Sequence, residues 1–158
     1  MNIKEFYSDL PIEVESDPII MGFMHGILLA APYSFWDFKD EIDFKLVVNG
    51  CGPKGFGDKL VPDRVWGLKI TDACAIHDWM FTVFNDENGF RLANQVFLDN
   101  MTRINKEKTK WNWLKKLRAR RILKYYYAVR SFGRVFFYDA HSGLYETEEN
   151  EYFKKIYT

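Results

Sequence analysis

The chain has 158 residues, 47% of them apolar and 18% aromatic, with 22 basic side chains balanced by 22 acidic ones. That suffices for one domain, 1–158, with its own core; it excludes a disordered chain, and a net charge of zero names no partner. The longest uncharged apolar run, residues 18–36, is broken by two prolines, two glycines and His25, which argues against a membrane span, and it lies too far from Met1, behind five acids, for a signal peptide.

In chain order, residues 18–31 predict a first, buried helix, with Ser16 or Asp17 as N-cap and Pro18 at its first position. Residues 44–48, FKLVV, predict a short extended run into a glycine-rich loop that continues through 58–70. Thr71 or Asp72 then caps a helix to about Phe84, and Asn85–Gly89 has turn chemistry. Further helices are expected over about 90–106 and 111–131, the latter ending before Gly133. Residues 134–147 read as a β-hairpin turning at His141–Ser142–Gly143, and 148–157 as a short terminal helix. The fold class is mainly α, with an antiparallel helix pair and a small β-hairpin.

Two apolar stripes carry unusual polar residues. On 70–84 the stripe is Ile70, Ala73, His77, Met80 and Phe84; on 90–104 it is Phe90, Ala93, Asn94, Phe97, Met101 and Ile104. A short connection favours antiparallel neighbours. Packed together, they would bring the imidazole of His77 toward the amide of Asn94; the alternative is two buried polar groups, each satisfied locally.

The glycine-rich segment NGCGPKGFG (49–57) holds Cys51, and DACAIHDWMF (72–81) holds Cys74, His77 and Asp78. Glycines allow a loop to turn several carbonyls toward one point, the oxygen-rich environment that Ca²⁺ takes; they also make ordinary tight turns. A Cys51–Cys74 bond would close roughly two dozen residues and contribute on the order of 3 kcal/mol. Two free thiols, the norm in a reducing cytosol, are the other reading.

Together, over about residues 49–101, these two motifs resemble the calcium loop and active-site helix of the phospholipase A2 superfamily, in its compact bacterial or phage-type form; the flanks 1–48 and 102–158 align with nothing. The resemblance implies a phospholipase A2-type helix pair, a hydrolase activity on the sn-2 ester of glycerophospholipids, and Ca²⁺ as cofactor. It implies His77 as the base that activates water. Asp78 and the carbonyls of Gly50, Gly52 and Lys54 would be metal ligands, the N–H of Gly52 an oxyanion donor, and Cys51–Cys74 a disulfide. Lys54 departs from the family's usual glycine. Where the family has a supporting aspartate, this chain has Asn94, which can orient the ring but brings no charge; where the family often has tyrosine, it has Phe81. The same resemblance therefore admits a second function, a catalytically weak or inactive module that binds lipid or protein.

Charge is unevenly spread. Residues 1–48 carry nine acids against three bases, 103–134 carry twelve bases against one acid, and 139–151 are acidic again. The basic, aromatic stretch 106–130 could be a structural helix with a core stripe of Trp111, Leu114, Ile122, Tyr125 and Val129, a contact with an anionic membrane, or a nucleic-acid surface; no nucleic-acid motif accompanies it. His25 is expected in the core, His141 in a solvated turn, Asp58 and Asp63 in turns, and Asp99 on the face of its helix away from Asn94. The apolar run around His25 is expected as core, an acyl-chain channel being the alternative. The compartment is secreted or extracytoplasmic if the disulfide forms, and otherwise cytoplasmic.

Overall fold

The computed structural model describes residues 17–40 and 63–143. Strands β1 (Ile19–Met24) and β2 (Ile27–Pro32) are followed by a short helix α1 (Tyr33–Phe38). A second strand pair, β3 (Arg64–Val65) and β4 (Leu68–Lys69), precedes three helices: α2 (Thr71–Val83), α3 (Glu87–Lys108) and α4 (Asn112–Gly143). The described residues are mainly helical, and each strand pair is a two-stranded antiparallel sheet.

The first hairpin replaces the helix expected over 18–31. Its register runs from Ile19 opposite Pro32 to Met24 opposite Ile27, around a two-residue turn. His25 (φ 48°) and Gly26 (φ 79°) both sit at positive φ, the type I′ geometry whose twist matches that of paired strands. Glycine adopts this region freely and histidine more readily than most residues. Isoleucines at 19, 20 and 27 add the branched side chains that favour extended backbone. The second hairpin, in a segment expected as loop, repeats the device with Trp66 (φ 48°) and Gly67 (φ 78°).

Helix α3 is the centre of the molecule. Its buried residues occupy both the Phe97–Met101 face and the Leu92–Val96 face, because β2, α2 and α4 pack around it. Against β2 the contact is polar as well as apolar. Asn100, fully buried, accepts from the N–H of Ala30 at 2.8 Å and donates to its carbonyl at 2.7 Å. Its side-chain amide thus stands in for a neighbouring strand at the open edge of β2.

A second buried network ties the hairpin to α2. The carboxylate of Asp17 accepts from the N–H of Ser34 at 2.9 Å and from its hydroxyl at 2.5 Å, and the indole N–H of Trp79 donates to that hydroxyl at 2.8 Å. Asp17 therefore serves the start of α1 and not a helix over 18–31. His25 is not in the core: its side chain is 75% exposed and its Nδ1 lies 2.8 Å from Asp72 Oδ2. Helix α2 follows Ile70 and has no side-chain cap, contrary to the expectation for Thr71 or Asp72. Asp72 instead lies in the first turn, where a carboxylate complements the helix dipole.

Helix α3 begins earlier than expected, at Glu87, because Asp86 caps it by accepting from the N–H of Gly89 at 2.6 Å. Helix α4 runs through residues 134–143, where the hairpin was expected, so His141 is helical; residues 144–147 and the expected terminal helix lie outside the described residues. The strand-like run Arg134–Tyr138 is overruled by packing: Phe137 is fully buried, edge-on to both Phe81 of α2 and Phe90 of α3. Along α4, Ile122 and Tyr125 are buried as expected, with Leu114 and Val129 half-buried, but Trp111 is 63% exposed, lying just before the helix begins. Asp63 is exposed and its carbonyl accepts from Ile70 N–H, as a turn residue.

Candidate functional site

The three-residue connection Phe84–Asp86 folds α2 and α3 back on each other. Contacts are symmetric about it, Phe81 against Phe90 and His77 against Asn94, as antiparallel neighbours require. His77, only 7% exposed, is brought to Asn94 with Nε2 3.0 Å from Oδ1. The pairing expected from the two stripes is therefore present.

Asn94 fixes the tautomer of the ring. Its Nδ2 donates to the Phe90 carbonyl at 2.9 Å, and a carbonyl can only accept. The amide oxygen must then face His77, so Nε2 carries the proton and Nδ1 keeps a lone pair. Nδ1 makes no hydrogen bond among the described residues. Phe81 and Phe97 pack on the ring at centroid distances of 4.0 and 4.7 Å. Burial among these rings lowers the pKa of His77 from 6.5 to about 4, against a smaller opposing effect of the hydrogen bond to Asn94. The imidazole is neutral at pH 7.

Asp78 follows His77 on α2 and is half-buried. Cys74, one helical turn before it, is buried. The remaining expected site residues, Gly50, Cys51, Gly52 and Lys54, lie outside the described residues, as does Asp58. Among the described residues no group of three or more His, Cys, Asp or Glu side chains gathers to hold a metal. A site made of one carboxylate and three main-chain carbonyls would not form such a group; its donors are all oxygen, which suits Ca²⁺. Asp99 pairs with Arg103 at 2.7 Å and takes no part at His77.

Two features escaped the sequence reading. The Phe90 carbonyl that orients Asn94 has no signature in side-chain pattern. The aromatic seat of His77 was partly visible, since Phe97 lies three residues from Asn94 on its stripe and Phe81 lies one turn, four residues, beyond His77. Comparison with family models, with characterised proteins and with solved structures returned no match.

Proposed function

We propose that this chain is a calcium-dependent esterase of the phospholipase A2 type, with His77 as the general base that activates water against the sn-2 ester of a glycerophospholipid. The observation that carries the reading is the His77–Asn94 hydrogen bond between antiparallel helices: it holds a neutral imidazole with Nε2 protonated and the basic lone pair on Nδ1.

In this mechanism Nδ1 takes a proton as the water oxygen attacks the ester carbonyl carbon. The ester C–O bond then breaks, and the proton passes from Nδ1 to the departing glycerol oxygen, giving a fatty acid and a lysophospholipid. Asn94 keeps the ring aligned through both transfers. Asp78, with the main-chain oxygens of Gly50, Gly52 and Lys54, would hold Ca²⁺, which supplies Lewis-acid polarisation of the carbonyl and a counter-charge for the phosphate. The N–H of Gly52 would donate to the developing oxyanion. A Cys51–Cys74 bond would anchor the loop to α2.

The exposed aromatic residues at the start of α4 fit a lipid substrate. Trp111 and Trp113 stack at 6.3 Å, are both exposed, and stand beside Lys110, Lys115 and Lys116. Indoles and cations together favour the interface of an anionic membrane. No helix among the described residues is long and apolar enough to cross one.

Fatty-acid release from mixed micelles is expected in calcium, to fall to background in chelator, and to drop by about 100-fold or more in His77→Gln. Turnover that survives both treatments removes the proposal. The second reading, a lipid- or protein-binding module with little catalysis, is favoured by the low pKa of His77 and the missing hydroxyl at Phe81. It predicts calcium-dependent co-sedimentation with vesicles and no product.

A further inference from the structure

Beside the His77–Asn94 pair, α3 and α4 enclose a cleft of about 300 Å³ that Asn94 and Phe90 help to line, at the small end of the range for ligand sites. Its walls hold Arg91, Arg130, Arg134, Tyr126, Gln95 and Glu87. Three guanidinium groups face one carboxylate, so the cleft carries a net charge of +2 (3 − 1).

The arginines are not equivalent. Arg134 is braced from two sides: its Nη2 lies 2.6 Å from Glu87 Oε1 and its guanidinium sits 5.5 Å from the centre of the Phe90 ring. Arg91 reaches the same carboxylate oxygen at a looser 3.4 Å. No ion pair ties down Arg130 among the described residues. Glu87 thus pre-orients two guanidinium groups without neutralising the third. Planar guanidinium groups in a concave surface match the oxygens of a phosphate, and the concavity concentrates their field. Gln95 adds a different demand. Its Oε1 is buried and accepts no hydrogen bond among the described residues. An acceptor in that position suits a ligand that also brings a hydroxyl donor.

We propose that the α3–α4 cleft binds a small phosphomonoester carrying at least one hydroxyl group, with Arg130 and Arg91 on the phosphate and Gln95 on the hydroxyl. The three residues assigned to the ligand are separate from the His77 machinery, although the cleft shares Asn94 and Phe90 with it. Such a phosphate can belong to a free metabolite or to a lipid headgroup, and the two sources are separable by experiment.

Calorimetric titration of the full chain at low salt would use sn-glycerol 3-phosphate, inorganic phosphate and glycerol as probes. Saturable binding of glycerol phosphate, tighter than inorganic phosphate and absent for glycerol, is expected. Arg130→Gln should weaken it about tenfold, and Gln95→Leu should abolish the preference over inorganic phosphate while leaving phosphate itself bound. Both side chains line the cleft, and unchanged circular dichroism would show that the variants fold. Vesicles of phosphatidylcholine with phosphatidic acid form the second arm: retention that depends on Arg130, without binding of the soluble ester, assigns the phosphate to a headgroup. No Arg130-dependent binding in either arm overturns the proposal, as does soluble-ester binding that Arg130→Gln and Arg91→Gln leave unchanged.

Discussion

Asn94 accepts the Nε2 proton of His77 at 3.0 Å while giving its own amide proton to the carbonyl of Phe90. A neutral amide can orient the ring in this way but does nothing for the charge that a base acquires when it works. Replacing it with a carboxylate separates the two effects. In Asn94→Asp, the new charge beside the imidazole should raise the pH at which His77 titrates by about 1–3. If His77 is the base, calcium-dependent hydrolysis should rise on the order of tenfold or more. The loss of the bond to Phe90 should cost about 1 kcal/mol of stability. NMR titration of the imidazole and micelle turnover are the two measurements, and a titration that stays at its original pH would sink the assignment of the pair.

Stability should depend on pH through the same ring, and the sign follows from the direction of the shift. The unfolded imidazole takes its proton near pH 6.5, whereas the folded one waits until about pH 4. Between those values the unfolded chain binds more protons, so acid favours unfolding. The contribution of His77 is fully present above pH 6.5 and is lost as pH falls toward 4, a change of about 3 kcal/mol at 1.36 kcal/mol per pH unit. Carboxylates titrate at the lower end of the same range, so the comparison must be with His77→Gln. Urea midpoints for the two proteins at a series of pH values should converge on acidification. Parallel curves would mean that the ring is not desolvated.

The helical pair and its His–Asn contact were legible because a 3.6-residue period places both polar residues on apolar stripes, and a short connection leaves the stripes no distant partners. The hairpin over 19–32 was not legible as read, because a continuous apolar run carries no period that tells a buried strand from a buried helix. The deciding signal was local: two six-residue runs joined by His25–Gly26, both at positive φ. The opposite error fell at 134–143, where β-branched and aromatic residues favour a strand in isolation. There Phe137 meets Phe81 and Phe90, and a contact among three distant segments outweighs local propensity. Trp111 was placed in the core by spacing, but it precedes the helix, whose period does not govern it.

Asn100 offers a test of how the hairpin is attached. Its amide makes both hydrogen bonds of Ala30 that face away from β1, and all four groups are buried. Asn100→Ala would leave a buried N–H and a buried carbonyl without partners, at a cost of about 2–4 kcal/mol. Asn100→Asp should be nearly as harmful, because a carboxylate can still accept from the N–H but faces the carbonyl with a negative charge. Chemical denaturation of the three proteins measures this. A change below about 0.5 kcal/mol in Asn100→Ala, the level of an ordinary surface substitution, would show that the edge of β2 is satisfied in another way.

Gly22 distinguishes the hairpin from the helix that composition alone suggests. In a helix interior with room for the methyl group, exchanging glycine for alanine stabilises by about 1 kcal/mol. In the hairpin, Gly22 lies opposite Leu29, and a Cβ added there would stand 2.7–2.8 Å from three atoms of the Trp36 indole. The ring is half-buried against the core and meets Phe35 edge-on at 5.3 Å, so moving it aside gives up that packing. Gly22→Ala should therefore destabilise by about 1–3 kcal/mol, the usual range for overpacking. Gly26→Ala should also destabilise, for a different reason: nothing crowds that position, but its φ of 79° is one that alanine resists. The two variants differ in fluorescence, since only the first displaces Trp36. Thermal melts in which Gly22→Ala is more stable than the parent would return residues 19–32 to a helix and remove the strand edge on which Asn100 acts.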